Sequence, residues 1–339
     1  MRRYALLLLL PFPVAAGEPF TFRRPCMGTV WTITLSAAAE NKADAAAQAA
    51  FARMEELNAV LSDYKEDSAL SRLSATAGSG KAVTVSGDLR TVLALSQQAA
   101  AESDGVFDIT VGPYVQLWRT ARKTKSLPPA ADLAAARAAT GWEHLALDEK
   151  ESTALLKRPG MKLDCGGIAK GFAQDEAMKV LRDKHGVASA LIDAGGGVLV
   201  TARPPGREGW HIQSGLATKD DPAFLLRVEN RAVATSGDVN QSVEIAGRRY
   251  SHIIDKATGL GMTAPSQATV IAPGGALADW LATTLCLMGP EKGIAWLKEK
   301  HPEAEARVAQ RDTDGKLAVR ESAGFAALVV KREAVPGAQ

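Results

Sequence analysis

The chain has 339 residues, 46% hydrophobic and 23% charged, a globular balance that excludes collagen-like, coiled-coil and wholly disordered chains. Lys and Arg number 40 against 38 Asp and Glu, and aromatic residues make up 5%, so neither a polyanion partner nor a single-strand nucleic-acid platform is expected. A chain of this length buries one large core or two modest ones without staples.

The first element is a targeting segment. Residues 1–20 read MRRYALLLLLPFPVAAGEPF: Arg2 and Arg3, an apolar run over 4–10, Pro11 and Pro13, then Val14 and Ala16 placed for a cut before Gly17. This is the layout of a signal peptide over 1–16, with an apolar run too short to span a bilayer. It predicts export to the periplasm, a mature domain over 17–339 and no transmembrane span of the chain's own. Without Arg2 and Arg3 the basic residues equal the 38 acidic ones, so the mature chain is near neutral. Cys26, Cys165 and Cys286 are too far apart for zinc-site spacing; an oxidising compartment allows one bridge, while buried free thiols are the default.

Residues 30–35 (VWTITL) alternate as a half-buried strand does, and 41–61 place Ala47, Ala50, Phe51, Met54, Leu57 and Leu61 at helical spacing. A second helix is predicted over 88–102, closed by Asp104-Gly105. The basic, Pro-ended stretch 122–129 (RKTKSLPP) reads as a loop or subdomain joint. Residues 163–171 (LDCGGIAKG) join a short strand to a helix over 173–184 that Gly186 stops, and 190–192 is a strand ended by Gly195, Gly196 and Gly197. Short β-rich segments follow to Ile271, then a helix from near Ala276 that Pro290 breaks, and another over 291–298. Strands and helices intersperse without βαβ repetition, so the predicted class is α+β.

Glycine clusters at Gly166-Gly167, Gly195 to Gly197 and Gly274-Gly275 suit close approach of backbone amides to a pyrophosphate; tight turns without a ligand are the plainer reading of any one of them. Neither GxGxxG nor GxxxxGK[ST] occurs. Asp279 and Thr283, four apart near the start of a predicted helix, project from one face, and a carboxylate with a hydroxyl is an oxygen set that Mg²⁺ accepts. Helix-dipole compensation by Asp279 is the alternative. Asp164, expected at a strand end before the first glycine pair, suits a heterocycle or ribose, and Lys170 a phosphate or flavin edge; an N-cap and a solvated lysine are their alternatives. In 250–255 (YSHIID), strand alternation puts His252 and Ile254 on one face. A lone strand histidine is more often structural than catalytic. His144, His185, His211 and His301 have no suggestive neighbours, and no GxSxG or paired Cys/His pattern supports covalent hydrolysis.

Together these segments resemble the ApbE family of FAD:protein FMN transferases. The blocks occur in the family's order: Met27-Gly28-Thr29, 64–72 (YKEDSALSR), 107–113 (FDITVGP), 163–173 (LDCGGIAKGFA), Ala194-Gly195-Gly196, 235–238 (TSGD), 249–255 (RYSHIID), Thr258-Gly259 and 278–283 (ADWLAT). The resemblance implies an α+β, T-fold-like architecture. It also implies FAD as substrate, Mg²⁺ as cofactor, and transfer of FMN to a threonine or serine hydroxyl of an exported or membrane-bound redox protein, releasing AMP. By the same resemblance Asp279 and Thr283 are Mg²⁺ ligands with the Gly167 carbonyl, and Met27, Tyr64, Val106, Phe107, Asp108, Asp164, Lys170 and Ile253 contact FAD, with Thr110 in support.

His252 is the candidate base for the incoming hydroxyl, since imidazole titrates near neutrality. Two departures stand out. Asp193 occupies a position where the family often has Asn, and an ionised aspartate accepts but does not donate. Lys256 stands where Pro is common, and is expected to change loop geometry more than chemistry. The competing readings are an FAD pyrophosphatase giving FMN and AMP, a flavin-binding protein without turnover, and an oxidoreductase using the flavin directly.

Overall fold

The computed structural model describes residues 19–85, 87–215, 221–237, 242–312 and 314–333. The expected signal segment 1–16 and Asp238 of the TSGD block lie outside them. Alternation in 30–35 is realised in strand β2 (Thr29–Ser36), where Trp31, Ile33 and Leu35 are fully buried and the residues between them are not. A strand precedes it: β1 (Pro19–Cys26) pairs antiparallel with β2, from Pro19 opposite Ser36 to Cys26 opposite Thr29. Met27 and Gly28 form the two-residue turn with φ of 48° and 77°, the left-handed pair that matches a hairpin's twist. Met27 and Gly28 thus close a hairpin between two strands, and Thr29 opens the second.

Six further strands extend this sheet in chain order: Ala190–Asp193, Gly197–Val200, Arg231–Gly237, Ser266–Ala272, Glu305–Arg311 and Leu317–Glu321. Every neighbouring pair is antiparallel. Alternate residues face different cores. Ala232, Ala234, Ala268 and Val270 join the main core with the helices, whereas Val200, Val233 and Ile271 join a smaller one with Ile212, Phe224, Leu226 and Phe325. A sheet covered on both faces tolerates this nearly all-apolar alternation.

The main helices are α1 (Glu40–Leu61), α2 (Ala69–Ser74), α3 (Gly87–Glu102), α4 (Gly112–Thr124), α5 (Ala130–Ala138), α6 (Ala169–Lys179), α7 (Gly275–Met288) and α8 (Pro290–Lys300). Helix α1 turns Ala47, Ala50, Phe51, Met54, Leu57 and Leu61 into the core, the face its spacing predicts. Helix α7 packs on α6 and on strands Arg231–Gly237 and Ser266–Ala272. Its first turn is closed by a neighbour's side chain: Asp175 of α6 accepts the N–H of Gly275 at 2.6 Å and of Ala276 at 2.9 Å. These are orphan donors at a helix start. Asp175→Ala is therefore expected to cost about 1–2 kcal/mol of unfolding free energy, read from urea melts.

Three local expectations change. Arg122 to Thr124 are helical, because α4 runs on until Lys125 takes a left-handed φ of 53°. Residues 163 and 164 form no strand. Lys162 makes a single parallel bridge to Val111, and Asp164 N–H donates to the Ile109 carbonyl at 2.7 Å. The Asp164 turn begins too soon for a ladder to grow. Finally, 250–255 is two strands, Arg248–Ser251 and Ile254–Asp255. Ser251 Oγ accepts the Ile253 N–H at 2.9 Å and bends the chain between them, so His252 and Ile254 do not share a strand face. The three cysteines are buried free thiols, and burial pushes Cys26 up to about 12.

Candidate active site

Two segments share the pattern Asp-x-Gly-Gly, at 164–167 and 193–196, and they fold alike. Asp164 Oδ1 accepts the Gly166 N–H at 2.8 Å, and Asp193 Oδ1 accepts the Gly195 N–H at 2.7 Å. This is an Asx turn, which needs an acceptor only. Asp193 therefore serves its turn without the donor that asparagine would add.

After the first turn, α6 crosses α7 at a glycine contact. A Cβ at Gly171 would fall inside the Gly275 carbonyl, and one at Gly275 inside the Gly171 carbonyl. Neither residue admits a side chain, and the helices close to backbone contact. That approach carries Asp279 and Thr283, one turn apart on α7, up to the 164–167 turn. Asp279 Oδ2 accepts the Gly171 N–H at 3.0 Å, the one hydrogen bond to this carboxylate among the described residues. A Cβ placed on Gly167 would lie 3.1 Å from Thr283 Oγ1 and 3.1 Å from Phe107 Cε2. The three expected metal donors, Gly167, Asp279 and Thr283, are thus brought together.

Ser236 joins them, its Oγ 3.2 Å from Thr283 Oγ1. Ser236 falls within the 235–238 block, where nothing in its spacing marks a role. Lys170 folds back on the same turn, its Nζ donating to the Gly166 carbonyl at 3.4 Å. Burial pushes the Asp279 carboxyl above the ordinary aspartate range, while Lys170 and the Gly171 amide pull it down. A desolvated carboxylate with a single amide donor, beside hydroxyl and carbonyl oxygens, fits a hard cation such as Mg²⁺. Among the described residues no three His, Cys, Asp or Glu side chains cluster as a metal site of their own.

The segment expected to touch flavin is more inward-facing than its pattern suggested. Phe107 is buried and tilts against Trp280 with ring centres 5.9 Å apart. The Asp108 carboxylate accepts four hydrogen bonds: from Thr110 N (2.8 Å), Thr110 Oγ1 (2.6 Å), Trp142 N (3.1 Å) and Lys256 Nζ (2.9 Å). With its acceptor sites filled and its side chain at 0% exposure, Asp108 has no side-chain oxygen to offer a ligand. A ligand would meet Asp108 through its main chain, while the Phe107 ring lies against the Gly167 turn. Val106 is half-buried, and Thr110 is fully buried, donating to Asp108 and accepting the Gly141 N–H at 2.8 Å. Lys256 is an electrostatic partner here, beyond any effect on loop shape. Its ion pair ties the loop carrying half-buried His252 and buried Ile253 to the 106–110 segment.

At the open edge Tyr64 is 78% exposed, with the Arg119 guanidinium 3.8 Å from its ring centre. Arg119 pairs with Asp63 and lies 3.5 Å from Asp164 Oδ2. Asp63 and Arg119 carried no signal in the sequence, since an acidic residue and a helical arginine are common on any surface. Burial first, then Asp63, pushes Asp164 up to about 6, against the Gly166 amide and Arg119. A raised carboxyl adds stability below its unfolded value, and that stability is lost as pH climbs to the folded value. The stability of Asp164→Asn relative to the parent is therefore expected to rise from pH 4 to pH 6, as chemical melts across that window would show.

Oxygen donors set against glycine turns, beside an exposed aromatic ring, are a chemistry that a hard cation and a pyrophosphate can use. Comparison with known proteins narrows this. The ApbE family profile matches residues 27–308, and the chain belongs to the ApbE family. An FAD:protein FMN transferase of Klebsiella pneumoniae is 30% identical over 281 residues, covering 81% of this chain and 80% of that protein. One from Treponema pallidum is 33% identical over 274 residues, covering 75% and 74%. The apo crystal structure of the Pseudomonas stutzeri flavinyl transferase ApbE superposes with a TM-score of 0.82 at 28% identity, over 95% of this chain and 100% of that one.

Proposed function

We propose that this chain is an FAD:protein FMN transferase that uses Mg²⁺ and acts on a redox protein outside the cytoplasm. The observation that carries the reading is the convergence of Gly167, Asp279, Thr283 and Ser236 where α7 meets the 164–167 turn. The acceptor's threonine or serine oxygen forms a bond to the phosphorus on the FMN side of FAD. The bond from that phosphorus to the bridging oxygen breaks, AMP leaves with that oxygen, and the hydroxyl proton goes to a base. Mg²⁺ held by Asp279, Thr283 and the Gly167 carbonyl would supply Lewis-acid neutralisation of charge at the pyrophosphate. Lys170, reaching back from α6 to the same turn, adds a positive charge beside it. Phe107 and Trp280, both buried, pack behind the turn. His252 is the proposed base, on the loop that Lys256 anchors.

We propose further that residues 1–16 direct export to the periplasm and that 17–339 form one flavin-transferase domain. The supports are the two arginines, the short apolar run and the small residues before Gly17. Among the described residues no helix is long and apolar enough to cross a membrane.

The test is stoichiometry. Incubating the protein with FAD, Mg²⁺ and a flavin-acceptor domain should release one AMP for each flavin bound to acceptor. AMP matched by free FMN would assign the chain to FAD hydrolysis, and intact FAD would assign it to flavin binding.

A further inference from the structure

Several buried or half-buried arginines of this chain are matched by acids. Arg53 pairs with Asp88 and Glu176, and Arg307 with Asp221. Others, such as Arg90 and Arg231, find neutral oxygen acceptors, but Arg122 finds neither. It is half-buried, its Nε is shielded from solvent without an acceptor, and among the described residues it has no hydrogen bond or ion pair. The ionisable groups that act on it are Tyr64 and Arg119, the second of like charge. A desolvated cation beside another cation opposes folding unless an anion arrives.

The same neighbours define what arrives. Arg119, three residues before Arg122 on α4, stacks on Tyr64 and is itself held by Asp63 and Asp164. Most of the Tyr64 ring stays exposed, so the face away from Arg119 is open to a planar ring. We propose that Arg119 and Arg122 add a subsite to the dinucleotide site: Arg119 fixes Tyr64 as a stacking platform, and Arg122 takes a phosphate oxygen of the same molecule. A guanidinium fork matches phosphate geometry, and a ring with a nearby phosphate is what a nucleotide presents. This rests on the reading of FAD as substrate. Arg122 is then a binding residue and Arg119 a positioning residue.

The experiment is a fluorescence titration of the full chain, without acceptor, using FAD and riboflavin, the second lacking phosphate. Arg122→Gln is expected to weaken FAD by about tenfold or more and to leave riboflavin within about twofold. Its melting temperature should stay level or rise, because an uncompensated charge is gone; a structural arginine would lower it. Arg119→Lys keeps a cation for Asp63 but loses the planar stack, and should weaken FAD several-fold with unchanged melting. Unaltered FAD affinity in Arg122→Gln overturns the subsite. Parental FAD affinity together with a raised Michaelis constant for the acceptor, read in a separate transfer assay, would assign Arg122 to acceptor binding and overturn the subsite as well. A parent chain that binds no FAD removes the transferase reading and the subsite with it.

Discussion

Asp279→Asn is expected to lower the rate of FMN transfer by about a hundredfold or more while leaving the fold intact. Gly167 and Thr283 offer neutral oxygens, so Asp279 is the charged member of the donor set. The amide oxygen of asparagine can still accept the Gly171 N–H that the carboxylate accepts at 3.0 Å. Packing is preserved and the charge is not. The direction of the Asp279 shift adds a second readout. Burial raises its pKa in the folded chain, so its contribution to stability is present below the ordinary aspartate value and lost as pH rises through the folded one. At neutral pH the metal-free parent bears that cost and the asparagine variant does not. Initial rates of acceptor flavinylation should collapse while chelator-treated protein melts no earlier than the parent. Near-parental rates would mean that Asp279 holds no cation.

Gly171→Ala is expected to have the largest effect on stability, about 3 kcal/mol or more. The added methyl falls inside the Gly275 carbonyl and within 2.8 Å of the Ala276 nitrogen. Both are backbone atoms that no rotamer change can move. Separating α6 from α7 breaks two things together: the Asp175 cap on Gly275 and Ala276, and the Asp279 bond to Gly171. The site is thus coupled to the crossing, and a small shift there moves every donor on α7. Urea melts and transfer rates should fall in parallel. A variant with parental stability would show that the crossing is not in backbone contact. Gly167→Ala is a useful contrast, since its methyl meets the side chains of Phe107 and Thr283 at 3.1 Å and disturbs the site before the fold.

The outline of the molecule was legible wherever one face of an element is buried. The period in 41–61 gave α1 to within a residue, and alternation in 30–35 gave β2, because burial imposes a period. Strand β1 escaped notice. It lies at the sheet edge with exposed residues at every second position, so its sequence PFTFRRPC has no strong apolar period. Residues 250–255 misled because strand alternation assumes an unbroken ladder, and the Ser251 side chain interrupts it. Spacing along α7 was enough to pair Asp279 with Thr283. It did not reveal Ser236, Asp175 or Lys256, whose roles depend on contacts between segments distant in sequence. Asp108 shows the opposite limit. Its block was recognised, yet only the structure shows a carboxylate saturated from within.

The measurement that tests the central claim most directly is the intact mass of a flavin-acceptor domain after incubation with this protein, FAD and Mg²⁺. The account predicts a gain of one FMN less one water, lost in Asp279→Asn and in chelator. An acceptor of unchanged mass, beside protein that binds FAD and leaves it whole, would contradict it.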